Sequence, residues 1–403
     1  MRTEDASFLP DAGLDYAVDL LRQHVFEQHD LPATCPQLGI GELQTLKLLA
    51  PHVLGGAARL DAPEAFAHMD PPTPWITWAT VLWNARLNQN LLHPATAPFA
   101  IEAERRVVDW LSPYFGMQGG HMCAGSTLAN LTALWAARDA HGVEKIIASE
   151  AAHMSVRKAA RILGLPFEEI PTNRFGQIDP ARLGSVADAC LVLTAGTTAT
   201  GEIDPLDLAG QAKWTHVDAA WAGPLRMSPT HAHLLEGIQS ADSVAVSAHK
   251  WLFQPKDSAV IMFREPASAN SAISFGGGYL AAPNVGVQGS RGAAAVPLLA
   301  TLIAWGSAGI ADRIDRTMSM ANRLAEALHK EANLSLRAMP KTGVTVFRPL
   351  TCTAETLQTC LPEGMFSTCD LDNKRWLRSV AANPLADIDK IVAITTDAIR
   401  AQH

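Results

Sequence analysis

The chain has 403 residues, 48% of them hydrophobic and 18% charged, with a formal net charge of −8. That length exceeds the usual single-domain size, and the apolar content is enough for a sizeable core, which excludes a disordered chain. The acidic balance offers no basic footprint for nucleic acid and no polybasic membrane patch.

The first residues, "MRTEDASFLPDAG", carry acidic side chains where a signal peptide would have a basic region and an apolar core. No run reads as the roughly 20 apolar residues that a membrane helix needs. A cytoplasmic protein is the expectation. The six cysteines (Cys35, Cys123, Cys190, Cys352, Cys360 and Cys369) form no CxxC pair and no zinc pattern, so they are expected to be reduced structural thiols, with no metal site.

Up to about Asn90 the sequence predicts helical pieces, beginning with "LDYAVDLLRQHVFEQ", and then the passage "HMDPPTPWITW". Prolines at 71, 72 and 74 cannot sit inside a helix, so this passage is expected to be an extended connector. From Pro98 the pattern becomes α/β. "IEAERRVVDWLSP" is an amphipathic helix, and "STLANLTALWAARDA" is a second one that opens with N-cap chemistry at Ser126 or Thr127.

Short apolar strands then recur: "KIIAS", "CLVLT", "THVDA", "SVAVS" and "AVIMF". Most are separated by helical or loop segments, the signature of a mainly parallel sheet covered on both faces. The last two lie close in sequence, so "AVIMF" is predicted to be an antiparallel neighbour or edge strand. Beyond about Ala300 come a long helix, "SAGIADRIDRTMSMANRLAEALHK", then "VTVFRP" and a helical end. The expected division is an N-terminal segment over residues 1–90, a large α/β domain over 91–300 and a small α+β domain over 301–403.

Functional residues of parallel sheets collect at the carboxyl ends of the strands. After "SVAVS" comes Lys250, a charged amine that is costly at the end of a core strand unless it is paired, exposed or chemically used. Asp218, within "THVDA", ends a strand and is either a core-edge or capping carboxylate or the partner of a ring-nitrogen cation. His153, in "ASEAAHMSVRKAA", is either a structural residue at a helix start or a flat ring that stacks on a heteroaromatic cofactor. Gly125, Ser126 and Thr127 stand where a helix begins, so they are an ordinary cap or a phosphate cup. A Schiff-base lysine, a carboxylate for a pyridinium nitrogen, a stacking ring and a phosphate cup together describe pyridoxal 5'-phosphate. No G-x-G-x-x-G follows a strand, and there is no Walker-type loop.

Over residues 65 to 310 these motifs resemble, in order, those of pyridoxal-phosphate-dependent group II amino-acid decarboxylases, the glutamate, aromatic amino acid and diaminobutyrate decarboxylases. The stretches are "AHMDPPTPW" with "PATAPFAIEAERRVVDWL", "AGSTLANLTALWAAR", "EAAHMSVRKAARILG", "TAGTTATGEIDPL", "HVDAAWAG" and "SAHKWL". The resemblance implies fold type I, the aspartate-aminotransferase type, in a homodimer whose active sites lie at the subunit interface and whose N-terminal segment contributes to the dimer. It implies a Schiff base at Lys250, Asp218 on the pyridine nitrogen and His153 stacked on the ring. It places Ser126 and Thr127 on the phosphate with Ser247 and His249 close by, Ala220 beside the cofactor, and Thr198 near the cofactor or the substrate carboxylate.

The implied reaction is loss of the α-carboxylate of an L-amino acid as carbon dioxide, leaving a primary amine. Many members carry a tyrosine that protonates Cα. Of the three tyrosines, Tyr279 is the one near that place, where it is either the proton donor or a structural residue. Arg291, in "GSRGA", meets a phosphate or carboxylate, or is a salt-bridged loop arginine. The alternatives are a carbon–carbon lyase of the sphingosine-phosphate-lyase type, an aldehyde-forming decarboxylase, and a non-catalytic relative.

Overall fold

The structure is a computed structural model that describes residues 12–23, 27 and 30–401. The chain divides into two units, residues 1–59 and 60–403. In the first, α1 (Ala12–Leu20) and α2 (Glu42–Val53) are the helices, and the Lys47 ammonium lies 6.0 Å from the centroid of the Tyr16 ring. The helix expected over "LDYAVDLLRQHVFEQ" ends at Leu20; residues 24–26 and 28 of that stretch, like residues 1–11, lie outside the described residues.

The second unit opens with the proline passage, and α3 (Trp75–Leu87) starts immediately after Pro74, which is extended at φ −71° and ψ 145°. The prolines therefore form the predicted connector, but "WITW" is helical. Proline restrains the residue before it and leaves the residues after it free to wind. Helix α4 (Pro98–Leu111) puts Pro98 in its first turn, where a missing N–H costs nothing, and buries Val107, Val108 and Leu111.

Next come β1 (Gly119–Cys123), α5 (Ser126–His141), β2 (Lys145–Ser149), α6 (Met154–Leu163) and β3 (Phe167–Ile170). They are followed by β4 (Ala189–Thr194), β5 (Trp214–Asp218), β6 (Ser243–Ser247) and β7 (Ala259–Phe263). These strands form one seven-stranded sheet in the order β1-β7-β6-β5-β4-β2-β3. Neighbours from β3 across to β6 run parallel, while β7 is antiparallel to both β6 and β1. The antiparallel neighbour was legible in the sequence. The edge position belongs instead to β1, whose "GGHMC" hides its strand character. Gly120 is required there, because a Cβ would come within 1.9 Å of the Ile261 carbonyl oxygen.

A short α7 (Pro266–Ala272) and the two-stranded ribbon of β8 (Ser274–Phe275) and β9 (Asn284–Val285) lead to α8 (Ala295–Lys330), which breaks at Gly306 (φ 62°, ψ 176°). The sequence pattern predicts this helix only from Ser307. Its first part, "AVPLLATLIAW", buries Leu298, Leu299 and Leu302 on one face, but its exposed positions Ile303 and Ala304 are apolar as well, so no polar face marks the helical period. By length and composition α8 could cross a membrane, the only such helix among the described residues, but Ile310, Ile314 and Met318 further along it are also buried in the core.

The remaining elements are β10 (Leu334–Leu336), β11 (Val344–Pro349), α9 (Ala354–Thr359), β12 (Ser367–Leu371), β13 (Lys374–Val380) and α10 (Ile388–Arg400). The strands make an antiparallel sheet in the order β10-β11-β13-β12. Strand alternation splits its faces. Phe347 and Leu377 pack with Leu324, Leu328 and Ile391, whereas Val346, Trp376 and Val380 join the core of the large sheet. Arg378, between Trp376 and Val380 in the same register, faces that large sheet too.

Candidate active site

The carboxyl ends of β5 and β6 lie side by side and bring the main candidates together. Asp218, the last residue of β5, is buried, and its two carboxylate oxygens accept from the Ala220 N–H at 3.1 Å and the Asn130 Nδ2 amide at 2.8 Å. Lys250 follows the end of β6. Among the described residues its amine makes no hydrogen bond and no ion pair. Burial lowers its pKa, with Asp218 and Asp70 pulling it back up and Lys256 and Arg378 pushing it further down. An amine made easier to deprotonate in this way is a better nucleophile.

His153 is the N-cap of α6. Its Nδ1 accepts from the Ser155 N–H at 3.2 Å and lies 2.7 Å from Ser155 Oγ. Burial lowers its pKa, and the charges of Asp218 and Lys250 both act on it.

The start of α5 forms a cradle. Gly125 sits at φ 89°, a conformation open to glycine, and Ser126 and Thr127 are the first helical residues, whose N–H groups have no partner within the helix. Ser126 Oγ is hydrogen-bonded to Ser247 Oγ at the end of β6. The His249 ring stands over Gly125, its Cε1 3.5 Å from where a Cβ would be, and burial pushes its pKa down to about 4. Ala220 ties the strands together, its carbonyl accepting from Ser247 N–H at 3.3 Å. After β4, Thr198 is exposed, while Thr197 is buried and braces the loop by accepting from Glu202 N–H at 3.1 Å.

Two indoles lock this edge. Trp221 and Trp251, each close behind Asp218 or Lys250 in sequence, stack with centroids 4.5 Å apart and planes 8° from parallel. Trp251 donates to Thr317 on α8 at 2.9 Å, and Trp221 to the Thr342 carbonyl at 2.8 Å, so both loops are tied to the body of the unit.

Two sequence candidates stand differently. Tyr279 is 75% exposed between β8 and β9, its ring edge-on to His93 at 6.3 Å. Arg291 is held in a bidentate pair by Glu104, the arrangement of a salt-bridged loop arginine.

Sequence reasoning singled out neither Asn130 nor Arg378. Asn130 lies one helical turn after Ser126, on the face of α5 that meets the sheet, and that spacing was available as a signal. Arg378 is 8% exposed with a buried Nε that has no hydrogen-bond partner, and its charge reaches Lys250.

Comparison with known proteins gives the family. Residues 30–349 match the pyridoxal-dependent decarboxylase conserved domain. The chain belongs to this family. It is 31% identical to the L-2,4-diaminobutyrate decarboxylase of Rhizobium meliloti (strain 1021), over 78% of this chain and 70% of that one. It is 29% identical to the aspartate 1-decarboxylase of Aliivibrio fischeri, over 71% of this chain and 64% of that one. Among solved structures, the glutamate decarboxylase domain of a Vibrio parahaemolyticus diaminobutyrate-pyruvate transaminase and L-2,4-diaminobutyrate decarboxylase superposes with a TM-score of 0.80 at 21% identity, covering 98% of this chain and 90% of that one. Catharanthus roseus tryptophan decarboxylase in complex with L-tryptophan gives 0.82 at 20%, covering 97% and 96%.

The fold is therefore fold type I, and the protein is a pyridoxal-phosphate-dependent carboxy-lyase acting on an amino acid. The residues present fit that cofactor. An unpartnered amine, a buried carboxylate, a ring and a hydroxyl-lined helix start are the donor set that an aldehyde, a pyridinium nitrogen, a flat heterocycle and a phosphate need.

Proposed function

We propose that this decarboxylase converts an L-amino acid to the corresponding primary amine and carbon dioxide, with Lys250 holding the cofactor through a Schiff base. The observation that carries this is the Lys250 amine, without a hydrogen bond or ion pair at the end of β6 and within charge range of the buried Asp218. When bound, the cofactor supplies a ring that takes up the electron pair left as the carboxylate departs.

The chain's own residues do the rest. Asp218 would keep the ring nitrogen protonated by offering a desolvated negative charge. His153 would cover the ring face. Ser126, Thr127, Ser247 and His249 would surround the phosphate, Ala220 and Thr198 would line the cofactor's edges, and the Lys250 amine would hold the aldehyde carbon. Arg378 receives the substrate carboxylate. Its guanidinium is buried, and its Nη1 rests on Ser367 Oγ at 3.0 Å and the Ala67 carbonyl at 3.3 Å while Nε is left over. Tyr279 is the candidate donor of the Cα proton, and its replacement by Phe tests that role, since undiminished amine release would remove it.

In this reading the working form is a cytoplasmic homodimer with its active sites at the subunit interface. Residues 1–90 serve as the dimer segment, 91–300 as the cofactor domain and 301–403 as the small domain. The exposed indoles of Trp75, Trp78 and Trp83 on α3 support a covered surface there.

The test is a panel of L-amino acids, led by L-2,4-diaminobutyrate and L-aspartate after the named relatives, with carbon dioxide and product measured together. Amine formed in equal amount to carbon dioxide supports the reading. Aldehyde as the main product, or cleavage without carbon dioxide, would replace it by the aldehyde-forming or carbon–carbon lyase alternatives.

A further inference from the structure

A buried hydrogen-bond chain runs behind the site and touches both Asp218 and His153. Trp214 Nε1 donates to Ser243 Oγ at 2.9 Å, and Ser243 Oγ lies 2.9 Å from His216 Nδ1. His216 Nε2 lies 3.0 Å from Asn130 Oδ1. Asn130 Nδ2 then donates twice, to Asp218 Oδ2 at 2.8 Å and to Ser155 Oγ at 2.9 Å, and Ser155 Oγ meets His153 Nδ1 at 2.7 Å. Asn130, Ser243 and His216 are fully buried and Trp214 is 3% exposed, so no water competes for the bonds among these four.

The polarity of the chain is set at Asp218, since an ionised carboxylate can only accept. The amide must present Nδ2 to it, which turns Asn130 Oδ1 towards His216. His216 therefore carries its proton on Nε2 and donates to Asn130 Oδ1. Its bare Nδ1 accepts the hydrogen of the Ser243 hydroxyl, which in turn accepts from the Trp214 indole. Reversing the amide would set Asn130 Oδ1 against Asp218 Oδ2. It would also draw the Ser155 hydroxyl hydrogen away from His153 Nδ1.

We propose that Trp214, Ser243, His216 and Asn130 are positioning residues that fix one amide orientation, and through it hold the Asp218 carboxylate in place and keep the His153 proton on Nε2. This rests on the reading of Asp218 and His153 as cofactor residues. Nδ1 of His153 already accepts from the Ser155 N–H and hydroxyl, so Nε2 is the only ring nitrogen free to donate to a bound group. One amide thereby couples the charge beneath the ring nitrogen to the proton on the stacking residue.

The experiment uses His216→Phe, which deletes the donor to Asn130, and His216→Gln, which keeps an N–H in the same place. In cofactor-free protein labelled with 15N-histidine, the His153 ring signals are assigned by their loss in His153→Gln. The wild type and His216→Gln should show a bare Nδ1 and a protonated Nε2, and His216→Phe should move both nitrogens towards a mixture of tautomers. In holoenzyme, His216→Phe should lower kcat about 10- to 100-fold, as loss of an outer partner does elsewhere, while KM stays within about twofold. His216→Gln should restore most of the rate.

An unchanged His153 pattern in folded His216→Phe overturns the proposal, and so does a His216→Gln protein that behaves like His216→Phe. Should His216→Phe fail to fold, Asn130→Leu is read the same way. Lys250→Ala separates the two levels: turnover surviving in that variant would remove the cofactor assignment, whereas the ring signals of the cofactor-free protein do not depend on it.

Discussion

Acidification should cost the fold about 3 kcal/mol through His216 alone. The ring is fully buried, and burial pushes its pKa from the ordinary 6.5 down to about 4, against the opposing pull of the Asp218 charge. A base whose pKa is lowered by folding stays neutral in the native state while the unfolded chain takes up a proton. Its contribution is therefore complete above pH 6.5 and is lost as the pH falls towards 4. Each factor of ten in proton affinity is worth about 1.4 kcal/mol, which gives the stated figure.

His121 and His249, both also pushed to about 4 by burial, titrate in the same window, so a single acid curve cannot isolate His216. His216→Gln can, because it keeps the bond to Asn130 and does not titrate. Urea unfolding of cofactor-free protein at one fixed concentration, at neutral pH and near pH 4, provides the comparison. The wild type should lose about 3 kcal/mol more than His216→Gln. Parallel losses, equal within about 0.5 kcal/mol, would show that His216 is not held neutral by burial and would refute the reasoning.

Asp218→Asn should slow carbon dioxide release at least about 100-fold with the cofactor still bound, as when a preorganised electrostatic partner is removed; near-normal turnover takes Asp218 out of its role. Arg378→Ala should raise KM for the amino acid about 10- to 100-fold, the worth of a charge-assisted hydrogen bond, and an unchanged KM would leave that arginine structural. Trp251→Ala should cost about 3 to 5 kcal/mol of stability, read from urea midpoints, since it removes a fully buried indole from its stack on Trp221. A loss below about 1 kcal/mol would mean that the stack does not hold the lysine loop.

The central strands were legible because most are short apolar runs rich in β-branched residues and bounded by polar or small ones, the form of a strand buried on both faces. Strand β1 was not legible, since its two glycines serve the close approach to β7 and the pattern carries no trace of that. The first part of α8 was missed for a related reason, because its exposed positions, Ile303 and Ala304, are as apolar as its buried ones and leave no polar face to set the period.

At the candidate site, residues at strand ends could be found by position, because topology dictates that edge. Asn130 was marked only by its one-turn spacing from Ser126, and His216 by nothing. Each looks like a polar residue in an ordinary helix or strand, and they meet Asp218 and one another only across 88 and 86 residues of chain. Arg378 was hidden in the small sheet, where alternation alone does not say which face meets the large domain.

The most direct measurement is borohydride reduction of the holoenzyme followed by peptide mapping. The account predicts a stable pyridoxyl mass on the peptide containing Lys250, loss of the visible band, and no label in Lys250→Ala. Label on a different lysine, or none on a cofactor-loaded protein, would contradict it.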